Sequence, residues 1–173
     1  NPLQVDDVEL LFAALSPLGA AYADASQITD GTPLGLSEVA PGYRFHDTSQ
    51  LQFTLTKITS NLLGADQAVF LGEFGFNKVF DMPSKDELRY EGPGTYTSGN
   101  PLNTTVGAHV GKEWERPEHF ADDFSWGYRL VTKFTYNNAI GAWTIAPRLS
   151  WQHDVDGVTP GPGGSFIAGR KAL

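Results

Sequence analysis

The chain has 173 residues, 20 acidic against 12 basic side chains, a formal net charge of -8 and no cysteine. Without cysteine there is neither a disulfide framework nor a thiolate zinc site, and the acidic balance argues against nucleic acid as a partner. No run of about 18 apolar residues occurs, so no transmembrane helix is expected; a barrel stays open, because alternating strands average to low hydropathy.

The length fits one domain. Gly and Pro number 19 and 11 and aromatics reach 12%, which points to strands and long turns. The start, Asn1-Pro2-Leu3, shows no signal peptide and reads as internal sequence. Residues 1–42 form a loop or plug region with one short helix. Asp6 or Asp7 can cap it, Val8, Leu11, Phe12 and Leu15 follow at helical spacing, and Ser16-Pro17 ends it. Residues 17–42 are rich in Gly, Pro, Ala, Ser and Asp without a period, and read as loop.

Residues 43–173 read as two hairpins with long loops. In the first, Leu51, Phe53 and Leu55 share a face against Gln50, Gln52, Thr54 and Thr56. After a turn at 60–65, Ala68, Phe70, Gly72, Phe74 and Phe76 face away from Val69, Leu71, Glu73, Gly75 and Asn77. A period of two is the strand signal. Residues 81–122 read as a long loop, which is uncommon inside a compact soluble domain.

The second hairpin is the most informative stretch. Phe124, Trp126, Tyr128, Leu130, Thr132, Phe134 and Tyr136 alternate with Ser125, Gly127, Arg129, Val131, Lys133 and Thr135. A turn at 138–141 leads to Trp143, Ile145, Pro147, Leu149 and Trp151 on one face and Arg148 on the other. Pairing Asn137 with Ala142 would set Tyr136 opposite Trp143, Leu130 opposite Leu149 and Tyr128 opposite Trp151. Trp126, Tyr128, Tyr136, Trp143 and Trp151 then form an aromatic girdle at the two ends, with aliphatics between. From Trp126 to Tyr136 is about 33 Å of strand, which at a barrel tilt of roughly 40° spans about 25 Å, the height of an outer-membrane apolar band. Trp and Tyr favour the headgroup level because each joins an apolar body to a polar tip. The opposite face carries Glu73, Arg129, Lys133 and Arg148, the candidates for lining a wet lumen. Residues 154–169 form a further long loop, and Arg170-Lys171-Ala172-Leu173 reads as the start of another strand, as if the chain were part of a longer one. Short turns alternate with long loops, as in outer-membrane barrels.

Three motifs carry a resemblance. They are Leu88-Arg89-Tyr90-Glu91-Gly92-Pro93-Gly94-Thr95-Tyr96-Thr97-Ser98-Gly99-Asn100-Pro101, Phe124-Ser125-Trp126-Gly127-Tyr128-Arg129, and the run from His153-Asp154-Val155-Asp156-Gly157 to Gly169-Arg170-Lys171-Ala172-Leu173. Across most of residues 43–173 the chain resembles a Gram-negative outer-membrane β-barrel family catalogued as a domain of unknown function. The resemblance implies an all-β fold, a transmembrane barrel of antiparallel strands of which this chain holds part. It implies residence in outer-membrane lipid and transport of hydrophobic or amphipathic compounds. It also implies partners: an outer-membrane lipoprotein and an inner-membrane exporter of the RND superfamily. It carries over no catalytic residue.

No nucleophile, base and orienter set is visible, and no cofactor motif, so an enzyme is not expected. His109, Glu113, Glu115 and His119 fall in one loop but match no tight zinc spacing. Asp154 with Asp156, or Asp122 with Asp123, could serve calcium only with loop carbonyls added. No metal site is expected. Two alternatives to a transporter stand: a structural or docking barrel that binds a partner protein, and a soluble lipocalin-like binder.

Overall fold

The computed structural model describes residues 2–13, 21–95, 97–106, 109–161 and 165–173. The architecture is mostly antiparallel β-sheet, drawn into two compact units whose segments interleave along the chain. Unit 1 is Asn1–Thr48, Val79–Asp123 and Val158–Ser165; unit 2 is Ser49–Lys78, Phe124–Gly157 and Phe166–Leu173. No helix among the described residues is long and apolar enough to cross a membrane, which says nothing of strands.

Unit 1 begins with β1 (Pro2–Gln4), then α1 (Asp7–Ala13) and β2 (Tyr43–Phe45). β1 pairs antiparallel with β2, Leu3 opposite Arg44. The core gathers Leu3, Val5, Val79, Leu88, Tyr90 and Ala121, with Ile28 and Met82 packed against it. Leu3 and Val5 are two apart, as are Leu88 and Tyr90, so each pair turns to one side of an extended segment. Val5 bridges Tyr90, and Ala121 donates its N–H to the Tyr90 carbonyl. The expected helix is present over Asp7–Ala13; Leu15 and Ser16-Pro17 lie outside the described residues.

Residues 81–122 are therefore not a structureless loop. Their short extended pieces supply half of unit 1's core, and residues 158–165 join them. The boundary read at residue 42 does not mark a division of the fold: units assembled from distant segments leave no composition shift to find.

Unit 2 is a six-stranded sheet of β3 (Thr48–Thr59), β4 (Gln67–Val79), β5 (Phe124–Ile140), β6 (Trp143–Ile145), β7 (Arg148–Asp156) and β8 (Lys171–Ala172). Its order is β3-β4-β5-β7-β8, with β6 also on β5. Among the described residues the sheet is open, with β3 and β8 at its edges and no closure into a barrel.

The second hairpin differs from expectation in register. Leu149 lies opposite Thr132, Trp151 opposite Leu130 and His153 opposite Tyr128; Ile145 lies opposite Tyr136 and Trp143 opposite Ile140. The first four of these pairs are shifted by two residues from the expected ones, and Trp143, expected opposite Tyr136, is shifted by four. The turn is the cause. It is made at Gly141 and Ala142, and β5 accommodates extra residues in an irregularity between Tyr136 and Ile140 where Asn138 sits at φ 52°. Asn tolerates that left-handed conformation better than most side chains. A shift of two preserves the side of the sheet on which each residue lies, where a shift of one would exchange them. β7 also runs on to Asp156, so the loop after it starts later than residue 154.

Candidate functional site: a sheet with two unlike faces

In an antiparallel pair, directly opposed residues share a face. On β4 and β5 the rungs Phe76–Trp126, Phe74–Tyr128, Gly72–Leu130, Phe70–Thr132 and Ala68–Phe134 define one face. β7 continues it with His153, Trp151 and Leu149. The rings touch across strands: Phe74 and Trp126 centroids are 5.6 Å apart, Phe76 and Phe124 5.9 Å, Tyr128 and His153 5.5 Å, and Phe70 and Phe134 6.0 Å edge to face. Aromatics thus gather toward the Phe124 end, while Leu130, Thr132 and Leu149 occupy the middle. At Gly72 the face is notched by an apolar hollow of about 490 Å³, lined by Phe53, Leu55, Phe74, Tyr128 and Leu130.

This face is in the open. Phe53 is 58% exposed, Leu55 74%, Leu130 50% and Leu149 56%. Single exposed apolar residues are ordinary, whereas a contiguous apolar patch marks a surface that something else covers.

The other face carries the charges. Glu73 lies opposite Arg129, which on its far side lies opposite Gln152. Lys133 lies opposite Val69 on one side and Arg148 on the other. The structure therefore sets all four lining candidates on one face and brings Lys133 and Arg148 side by side. Directly opposed like charges destabilise a sheet unless solvent or an anion lies between them. Of the five girdle candidates, Trp126, Tyr128, Tyr136 and Trp151 lie on the apolar face. Trp151 sits beside Leu130, nearer the middle of the sheet than expected, though its Nε1 still reaches the Tyr128 hydroxyl at 3.4 Å. Trp143 sits beside the turn and is 76% exposed.

The loop histidines do not converge. His119 Nδ1 contacts Glu115 Oε1, while His109 Nδ1 pairs with Asn103 Nδ2 at 2.8 Å. Among the described residues no group of three or more His, Cys, Asp or Glu is placed to hold a metal ion. Asp122 accepts from the Val158 N–H at 2.8 Å and meets Lys85 at 2.8 Å, and Asp154 accepts from Arg170 Nε at 2.6 Å.

Unit 1 holds a cluster that sequence reading missed. Asp6 and Glu9 are 1% and 0% exposed. Arg89 Nε reaches Asp6 Oδ2 at 3.4 Å and its Nη2 contacts Glu9 Oε1. The Ser98 hydroxyl and Gly99 N–H donate to Asp6 at 3.1 and 3.0 Å, and the guanidinium lies 5.8 Å from the Phe120 ring centre. Burial pushes the Glu9 carboxyl above its ordinary 4.5, partly offset by the Gln27 N–H and Arg89. Gly99 is required there, since a Cβ would strike the Arg89 side chain and come 2.8 Å from Phe120. His46 closes a second contact. Its Nδ1 donates to the Phe80 carbonyl at 3.1 Å, which leaves Nε2 to accept from the Tyr90 hydroxyl at 2.7 Å. Burial raises the Tyr90 hydroxyl above its usual range, keeping it a donor. Both contacts use residues of the Leu88–Pro101 motif, so that motif works as an internal clasp.

Comparison with known protein families matches residues 1–173 to the family described as protein of unknown function (DUF1302). The chain belongs to that family. No curated protein and no solved structure gives a significant match.

Proposed function

We propose that unit 2 is part of the wall of a Gram-negative outer-membrane β-barrel, and that the barrel moves hydrophobic or amphipathic compounds across the envelope. One observation carries this reading: long strands form a sheet whose exposed face is apolar and whose opposite face is charged. β3, β4, β5 and β7 have 12, 13, 17 and 9 residues, against the roughly 9–11 that a tilted membrane strand needs. A lipid environment would cover Leu55, Leu130 and Leu149, while a lumen would hydrate Arg129, Lys133 and Arg148, each of which would cost about 2–4 kcal/mol at the bilayer midplane. On this reading the alternating lumen chemistry sets which solutes pass. An outer-membrane lipoprotein and an inner-membrane exporter of the RND superfamily are the partners that go with this reading.

The test uses the longest natural chain that carries this sequence. It should fractionate with outer membrane, require detergent, and confer uptake of amphipathic solutes on liposomes. Cysteine at Lys112 should be labelled from outside intact cells and cysteine at Ser60 should not. Recovery in the soluble periplasmic fraction would overturn the membrane reading. Membrane residence without uptake would favour a docking barrel.

A further inference from the structure

The charged face of unit 2 is not uniformly polar. Its rungs, read along β4, β5 and β7, are Gly75, Gly127 and Asp154; then Glu73, Arg129 and Gln152; then Leu71, Val131 and Ser150; then Val69, Lys133 and Arg148. The first rung places two glycines opposite each other, and Phe166 lies over them. A Cβ at Gly127 would come within 3.0 Å of two Phe166 ring carbons, and one at Gly75 within 3.5 Å of its Cζ. The absence of side chains at Gly75 and Gly127 is what admits the ring.

Phe166 is held there by the buried carboxylate beside it. Asp154, 2% exposed, accepts from the Ile167 N–H at 3.2 Å and from Arg170 Nε at 2.6 Å. Its backbone closes the same segment, with Asp154 N donating to the Arg170 carbonyl and Gly169 N to the Asp154 carbonyl, both at 2.9 Å. The phenyl ring is thus a fixed part of this face. Next along the strands the Glu73–Arg129 rung sets opposite charges side by side, and beyond it Leu71 and Val131 carry apolar surface on to Lys133 and Arg148, six residues or about 20 Å from Gly127.

We propose that this face is a binding track for an anionic amphiphile. The apolar body lies along Phe166, Leu71 and Val131, and the anionic head meets Lys133 and Arg148. The two cations supply the charge complementarity, since an anion between them relieves the repulsion of their direct opposition. The proposal rests on the reading of this face as the inner wall and names the solute class that the wall recognises.

The experiment measures equilibrium binding of palmitate and of hexadecanol to the full natural chain in micelles. Palmitate should bind more tightly. The double variant Lys133→Gln, Arg148→Gln should weaken palmitate by about tenfold or more and leave hexadecanol nearly unchanged, because only the acid carries a head for the cations. Phe166→Ala should weaken both ligands by about two- to tenfold, and Phe166→Leu, which keeps an apolar side chain on the glycine rung, should recover most of that loss. Equal affinity for acid and alcohol in the wild type, or a palmitate affinity indifferent to the double variant, would overturn the track. Charge-selective binding in a protein that gives no liposome uptake would uphold the track and overturn the transport reading instead.

Discussion

The two units of this chain handle charge and apolar surface in opposite ways. Unit 1 buries Asp6 and Glu9 against Arg89 and buries Leu3, Val5, Phe12 and Tyr90 as well, all under 5% exposed. Its described hollow, about 550 Å³ beside Ser26, Gln27, Glu87, Arg89 and Asn100, is polar. Unit 2 leaves Leu55, Leu130 and Leu149 exposed, keeps Arg129, Lys133 and Arg148 exposed on the reverse, and has an apolar hollow. A fold stabilised by water-driven burial accounts for unit 1. It does not account for a sheet that leaves its apolar face open along with its charged one, an apolar face that the proposed lipid environment would cover.

The contrast can be broken most severely at Arg89. Arg89→Met removes the partner of two buried carboxylates, and breaking a buried pair from one side costs about 3–5 kcal/mol. Hydrogen exchange should show that loss over residues 2–13 and 84–99. A loss confined to unit 2 would contradict the clasp.

A smaller effect separates the faces of the sheet. In lipid vesicles, Leu130→Arg should cost about 2–4 kcal/mol of reversible unfolding free energy, because a cation near the midplane has no water. Arg129→Gln, at the next residue but on the reverse face, should cost less than about 1 kcal/mol, since an amide there stays hydrated. Equal losses would erase the distinction between the faces.

The smallest effect is a pH dependence in unit 1. Glu9 titrates above its ordinary 4.5 because it is buried, so the folded state holds that proton more tightly than the unfolded state does. Its favourable contribution is complete below about 4.5 and is lost as pH rises through the raised folded value, with a slope of at most about 1.4 kcal/mol per pH unit. The stability of the wild type relative to Glu9→Gln should therefore fall across that window and level off above it. A relative stability that rises with pH would contradict the burial argument.

Much of unit 2 was legible in the sequence, because a period of two over Gln67–Val79 and Phe124–Ile140 leaves little choice of structure or of face. Register was less legible. The Asn138-Ala139-Ile140-Gly141 stretch offers two places for a turn, and pairing selects the one at Gly141 while Asn138 takes the positive φ. Unit 1 was hardly legible at all. Leu88-Arg89-Tyr90-Glu91 alternates over only four residues, too few to distinguish from a loop. The contacts of Arg89 with Asp6 and Glu9 join positions 83 and 80 residues apart. The place of Phe166 was not legible for the same reason, since the rung of Gly75 and Gly127 that receives it exists only once β4 and β5 are paired.

On the function proposed, the exposed apolar face of unit 2 meets lipid. The most direct test of that contact is a nitroxide scan of residues 128–134 in the full natural chain, reconstituted in lipid, with collision rates measured for oxygen and for a water-soluble nickel relaxant. Oxygen should peak at 128, 130, 132 and 134 and the nickel relaxant at 129, 131 and 133, the two profiles running out of phase. Profiles that run in phase, or a nickel maximum at Leu130, would show that water and not lipid covers that face.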